Sequence, residues 1–176
     1  MSHDLVSSLS SLPSDAAVAL MVRESTGACR PAEPAEVLRV AQCLLAGQLR
    51  GQQALSSPAA VKEFLRMRLG MLPHEVFAVI HLDAQHRVID YAEMFRGTLT
   101  EASVYPREVL KEALARNASA LLLVHCHPSG CAEPSRADEA LTAALKQALA
   151  LIDVQVLDHL IVAGPAIVSM AERGLL

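Results

Sequence analysis

The chain has 176 residues, 52% hydrophobic and 19% charged, which is enough apolar material for one packed domain with at most a short appendage. Fifteen Lys and Arg against nineteen Asp and Glu give a net charge of −4, the wrong sign for affinity that rests on neutralising phosphates. With no Trp, two Tyr and three Phe, it also lacks the aromatic platforms on which bases or sugars stack.

Residues 1–14 are Ser-rich and aperiodic. A short helix is expected over 15–24, ending in the turn-rich run Ser25-Thr26-Gly27-Ala28-Cys29-Arg30-Pro31. Over 33–53, Val37, Val40, Ala41, Leu44 and Leu45 recur at helical spacing, and their stripe must be buried against something, which makes it a candidate surface for homo-oligomers. Ser57 and Pro58 read as an N-cap and first helical residue, followed by the apolar positions Val61, Phe64, Leu65 and Leu69, with Gly70 and Pro73 at the end.

The period then shortens to two. Residues 75–82 read as a buried strand, 83–86 as a turn and 87–95 as the antiparallel partner. Pro106 opens a helix ending near Asn117, and the apolar run 119–125 has the signature of a central strand. A helix over 136–150 and strands over 154–162 and 166–170 complete the pattern. The fold class is α/β or α+β, a mixed sheet flanked by helices behind a helical lead-in over 1–56. Lys146, Asp153, Asp158 and Pro165 interrupt the apolar stretches before they reach the ~20 residues of a membrane span. Four cysteines behind a start that lacks a basic region and a long apolar run read as reduced thiols, so a soluble, cytoplasmic protein is expected.

Chemistry concentrates in the stretch from His125 to Asp138. Residues i and i+2 of a strand share a face, so His125 and His127 aim both imidazoles at one point while Cys126 faces away, and Pro128 stops the strand there. Two neutral imidazoles are half of a metal site. Asp138, eleven residues after His127 in the first turn of the next helix, is the candidate third ligand, leaving a position open for water. Ser135-x-x-Asp138 is equally a helix capping box, and the two readings do not exclude each other.

His125-x-His127-Pro128, six residues and then Ser135-x-x-Asp138, preceded by a strand-opening glutamate, resembles the JAMM motif of the JAB/MPN metalloprotease superfamily. Within it, His127-Pro128-Ser129-Gly130, Phe95-Arg96-Gly97-Thr98, Tyr105-Pro106-Arg107-Glu108 and Leu157-Asp158-His159-Leu160-Ile161-Val162 are similar to the bacterial RadC-type proteins, over roughly residues 57–176. The resemblance implies a JAB/MPN-like sheet with a cytidine-deaminase-like layout, one Zn²⁺ on His125, His127 and Asp138, Ser135 at the oxyanion of a tetrahedral intermediate, and a general acid/base glutamate at the start of the first core strand. Glu75 occupies that position, with Glu93 and Glu101 as alternatives. Where RadC-type proteins usually carry Asn between the histidines, this chain has Cys126. Cys131 in the same loop is a further departure, and as a ligand it would close the site.

The activity implied is zinc-dependent hydrolysis of amide bonds in a peptide or protein substrate. A DNA-associated role, attached to the family by its historical label, finds no support in the charge. A catalytically silent scaffold is the third reading, and it is disfavoured because all three ligands are present. His81, His86 and His159 read as structural histidines.

Overall fold

A computed structural model describes residues 20–50, 58–97 and 104–176. Ser57, Thr98 and Glu101, and the ends of the expected helices at 15–19 and 51–53, lie outside the described residues. The chain divides into two compact units between Ala41 and Gln42.

In the first unit, β1 (Met21–Arg23) pairs antiparallel with β2 (Cys29–Pro31), so residues 21–24 are not helical as the sequence suggested. A short apolar run does not reveal its period, and the turn chemistry decides the outcome. Glu24 N–H donates to the Ala28 carbonyl and Gly27 N–H to that of Glu24, with Gly27 at φ +86°, a conformation open to glycine. Arg30 holds Glu36 through two hydrogen bonds of 2.8 Å, and that guanidinium lowers the Glu36 carboxyl to about 2. Helix α1 (Pro34–Leu49) follows. Its expected apolar stripe is only partly buried: Leu45 packs on core side chains, while Val40 and Leu44 are 54% and 64% exposed.

The second unit holds α2 (Pro58–Leu69), β3 (Val76–Leu82), β4 (Val88–Arg96), α3 (Pro106–Ala115), β5 (Ala120–Cys126), α4 (Arg136–Ala150), β6 (Gln155–Ala163) and β7 (Ala166–Ser169). The five strands form one sheet in the order β4-β3-β5-β6-β7. All pairings are antiparallel except β5 with β6, whose parallel pairing requires the crossover supplied by α4.

Both faces of the sheet are covered, which explains why β3 and β5 read as continuous apolar runs. Val76, Ala78, Ile80, Leu122, Val124 and Cys126 meet Val61, Phe64, Leu65 and Leu69 of α2 on one side. Phe77, Val79, Leu121 and Leu123 meet Val109 and Ala113 of α3 and Leu145 and Leu149 of α4 on the other. At the end of α2, Gly70 leaves no room for a side chain, since a Cβ there would lie 2.6 Å from the carbonyl oxygens of both Arg66 and Gly164. Among the described residues no helix is long and apolar enough to cross a membrane.

Candidate metal centre

The alternation of β5 separates the roles of its last two residues. Cys126 points to the α2 side, where its Sγ accepts the Val76 N–H at 3.2 Å and burial pushes the thiol up from its ordinary value. His125 points to the other face, edge-on to Phe77. His127 extends the pairing with β6 by one further bond, its N–H donating to the Val162 carbonyl at 2.7 Å. Pro128 then has no N–H to continue. Gly130 N–H donates back to the His127 carbonyl at 3.2 Å and adopts φ +81°, so Pro128 and Gly130 supply the two backbone conformations that this tight turn requires.

The turn also orients His127. Its Nδ1 lies 2.9 Å from the Cys131 carbonyl, which can only accept, so Nδ1 carries a proton and, in the neutral ring, Nε2 is the nitrogen with the lone pair. That Nε2 is 3.5 Å from Asp138 Oδ2.

Asp138 is the third residue of α4 and closes its N-terminus in a capping box, as the sequence allowed. Its Oδ2 accepts from Ser135 N–H at 2.7 Å and from Ser135 Oγ at 2.6 Å, and Ser135 Oγ accepts the Asp138 N–H at 3.1 Å. The other oxygen, Oδ1, is 2.9 Å from His125 Nδ1. Burial raises the Asp138 pKa, but the bonds from His125, His127 and Ser135 outweigh it and hold the carboxyl well below the usual carboxylate range. The same contact with Asp138 pushes His127 up, against burial.

One ligating atom from each of His125, His127 and Asp138 can be chosen so that all lie within 4.8 Å of one another. Two imidazoles and a carboxylate suit a divalent transition-metal cation. His125 Nε2 is buried and without a hydrogen-bond partner, although Glu75 Oε2 is 3.4 Å away. A group left in this condition fits a site that takes a cation.

Of the glutamates considered from the sequence, Glu75 comes to the histidines. It precedes β3 directly and is only 8% exposed. Glu93 is exposed on β4 and bonded to Arg68 at 2.8 Å, and Glu101 lies outside the described residues. The side chain of Cys131 is exposed and is not among the residues that could hold a metal; it is its backbone carbonyl that meets His127.

The other histidines divide. His86 sits in the β3–β4 turn at φ +58°. His81 is fully buried with neither ring nitrogen bonded, and desolvation lowers it to about 4. His159 is also fully buried, and desolvation followed by the nearby His125 lowers it to about 3. Its ring lies nearly parallel to that of His125, 13° between planes and 6.4 Å between centroids, with Phe77 edge-on to both. Its Nδ1 is 2.6 Å from Thr142 Oγ1, and Thr142 Oγ1 is 2.6 Å from the Asp138 carbonyl. Thr142 was missed in the sequence. Its position four residues after Asp138, on the same face of α4, is the signal that pointed to it.

Beside His127 and Pro128 opens a pocket of about 240 Å³ with Leu69, Leu72 and Val162 in its walls.

The family pattern described as a RadC-like JAB domain matches residues 55–175. A UPF0758 protein of Methylibium petroleiphilum is 60% identical over 150 residues, 85% of this chain and 68% of the relative. One from Leptothrix cholodnii shows the same identity and coverage, and one from Polaromonas is 54% identical over 158 residues, 90% of this chain and 70% of its own. The five-stranded mixed sheet flanked by helices is consistent with such a domain, and the chain belongs to the RadC-like JAB domain family.

Proposed function

We propose that this protein is a zinc-dependent hydrolase of amide bonds, a peptidase or isopeptidase working at the end of β5. The observation that carries the reading is the convergence of His125, His127 and Asp138 with the buried Glu75 carboxylate 3.4 Å from His125. When bound by these three residues, zinc supplies Lewis acidity and brings the pKa of a water ligand toward neutrality. Buried beside the histidines, Glu75 is the group on hand to take a proton from the attacking water and return it to the leaving amine. Ser135 has one hydroxyl proton, committed to Asp138 Oδ2. It can turn toward an oxyanion once that carboxylate oxygen is engaged elsewhere. The pocket beside His127, walled by Leu69, Leu72 and Val162, offers apolar room for a substrate side chain. The setting proposed is the cytoplasm, where cysteines such as Cys29, Cys43, Cys126 and Cys131 stay reduced.

The test is elemental analysis of the purified full chain after zinc loading, joined to turnover of a peptide and isopeptide library. One zinc per chain is expected, absent in His127→Ala. Glu75→Gln should keep the zinc and lose hydrolysis by at least about 100-fold. A wild-type chain that holds no zinc overturns the reading.

A further inference from the structure

A hydrogen-bond chain runs behind the metal-binding group. The Asp138 carbonyl can only accept, so the single proton of Thr142 Oγ1, 2.6 Å away, is committed to it. The ring nitrogen 2.6 Å on the other side of that hydroxyl must then be the donor, which makes His159 the Nδ1–H tautomer. Its Nε2 is left as an unprotonated, unpartnered nitrogen in the core. His159 and Thr142 are 0% and 1% exposed, so solvent cannot replace either bond.

This chain ties β6 to the first turn of α4 at the backbone of Asp138 itself. The same His159 ring stands parallel to that of His125, and Phe77 packs edge-on against both. One residue on a third element therefore braces two ligands that come from β5 and α4. From this geometry we infer that His159, acting through Thr142, is a positioning residue that holds Asp138 and His125 in the arrangement a divalent cation requires. The inference rests on the metal reading above and adds two residues that touch no cation themselves. Hydrogen-bonded supports of this kind typically change metal affinity about 10–100-fold when removed.

The experiment measures Zn²⁺ affinity of the full chain by chelator competition, with the visible spectrum of the Co²⁺-loaded protein as a second readout. Thr142→Val keeps the shape and removes the hydroxyl, and His159→Phe keeps the ring and removes the donor. Each should weaken Zn²⁺ by about 10-fold or more and alter the Co²⁺ spectrum. Thr142→Ser and His159→Asn, which retain a hydroxyl and a donor near Nδ1, should recover most of the affinity. The double variant Thr142→Val/His159→Phe should lose little more than either single one, because the two residues act as one unit. Wild-type affinity in Thr142→Val and His159→Phe overturns the inference while leaving the metal site standing. So does an equal loss in the two conservative variants, which marks a packing role. Failure of the wild type to bind Zn²⁺ overturns the metal reading together with this inference.

Discussion

Ser135 and Asp138 hold each other by three hydrogen bonds of 2.6 to 3.1 Å, so the residue that caps α4 is fastened to a carboxylate of the candidate metal site. Ser135→Ala removes two of them, the hydroxyl's donation to Oδ2 and its acceptance of the Asp138 N–H. Loss of the cap costs about 1 kcal/mol. The same change loosens the carboxylate, leaving the Ser135 N–H as the one bond from that residue to Oδ2. A lowered urea midpoint and a weaker Zn²⁺ affinity are expected together, with Ser135→Thr restoring both. A variant that loses stability but binds Zn²⁺ as tightly as before would show that the cap and the carboxylate's orientation are independent.

Cys131 serves His127 with its carbonyl, which every residue possesses. Cys131→Ala and Cys131→Ser should therefore retain one zinc per chain at an affinity within a few-fold of wild type, because the exposed thiol is not among the donor atoms. Competition titration of the three proteins side by side decides it. A collapse of affinity in both variants would make the sulfur a ligand and the site a closed one.

Gly70 is required for space. Its missing side chain lets the end of α2 meet the β6–β7 turn, and a methyl group would approach two backbone carbonyls, Arg66 and Gly164, that have no flexible end to swing away. Gly70→Ala should cost about 1–3 kcal/mol, as overpacking usually does. Gly47 serves as the control: although in a helix, it has nothing within 4 Å of an added Cβ, so Gly47→Ala should leave the urea midpoint unchanged or raise it.

His81 makes the fold sensitive to acid. Burial lowers it to about 4, below its ordinary value of 6.5, so between these limits the unfolded chain binds a proton that the folded chain refuses. The stability is fully present above about pH 6.5 and drains away as pH falls toward 4, on the order of 3 kcal/mol in all. Urea unfolding at pH 7 and pH 4.5 should show a smaller difference in His81→Leu than in wild type. His159 is shifted in the same direction, so part of the slope will survive the substitution. An unchanged difference would acquit His81.

How much of this could be read beforehand varies with the range over which the determining contacts act. β3 and β5 were legible because burial on both faces writes a continuous apolar run. The His125–Asp138 stretch was legible because strand alternation and the first turn of a helix are local rules. Met21–Arg23 was misread as helix because its strand character comes from pairing with Cys29–Pro31 across a turn. The bond between Thr142 and His159 joins side chains 17 residues apart on different elements, and no local periodicity announces it. Its place at the start of the strand already favours Glu75 over Glu93, and what the fold adds is the approach of Glu75 to His125 and the bond of Glu93 to Arg68.

The pairing of β3 with β5 sets Val76 opposite Cys126 and Phe77 opposite His125, and runs without a break to Leu82 opposite Ala120. If β5 slid by a single residue, its side chains would exchange faces. Cys126 would then be presented where His125 belongs, and the imidazole would be driven into the apolar layer under α2. The cores on the two faces oppose that slip with the burial of seven residues from each strand, a far larger stake than any bond at the site. The meeting of Glu75 with a histidine 50 positions away depends on these strands pairing in the correct register, so the assembled site reports that the sheet has formed correctly. A zinc-binding signal followed in time during refolding would then read out register, a property that helix content and compactness do not reveal.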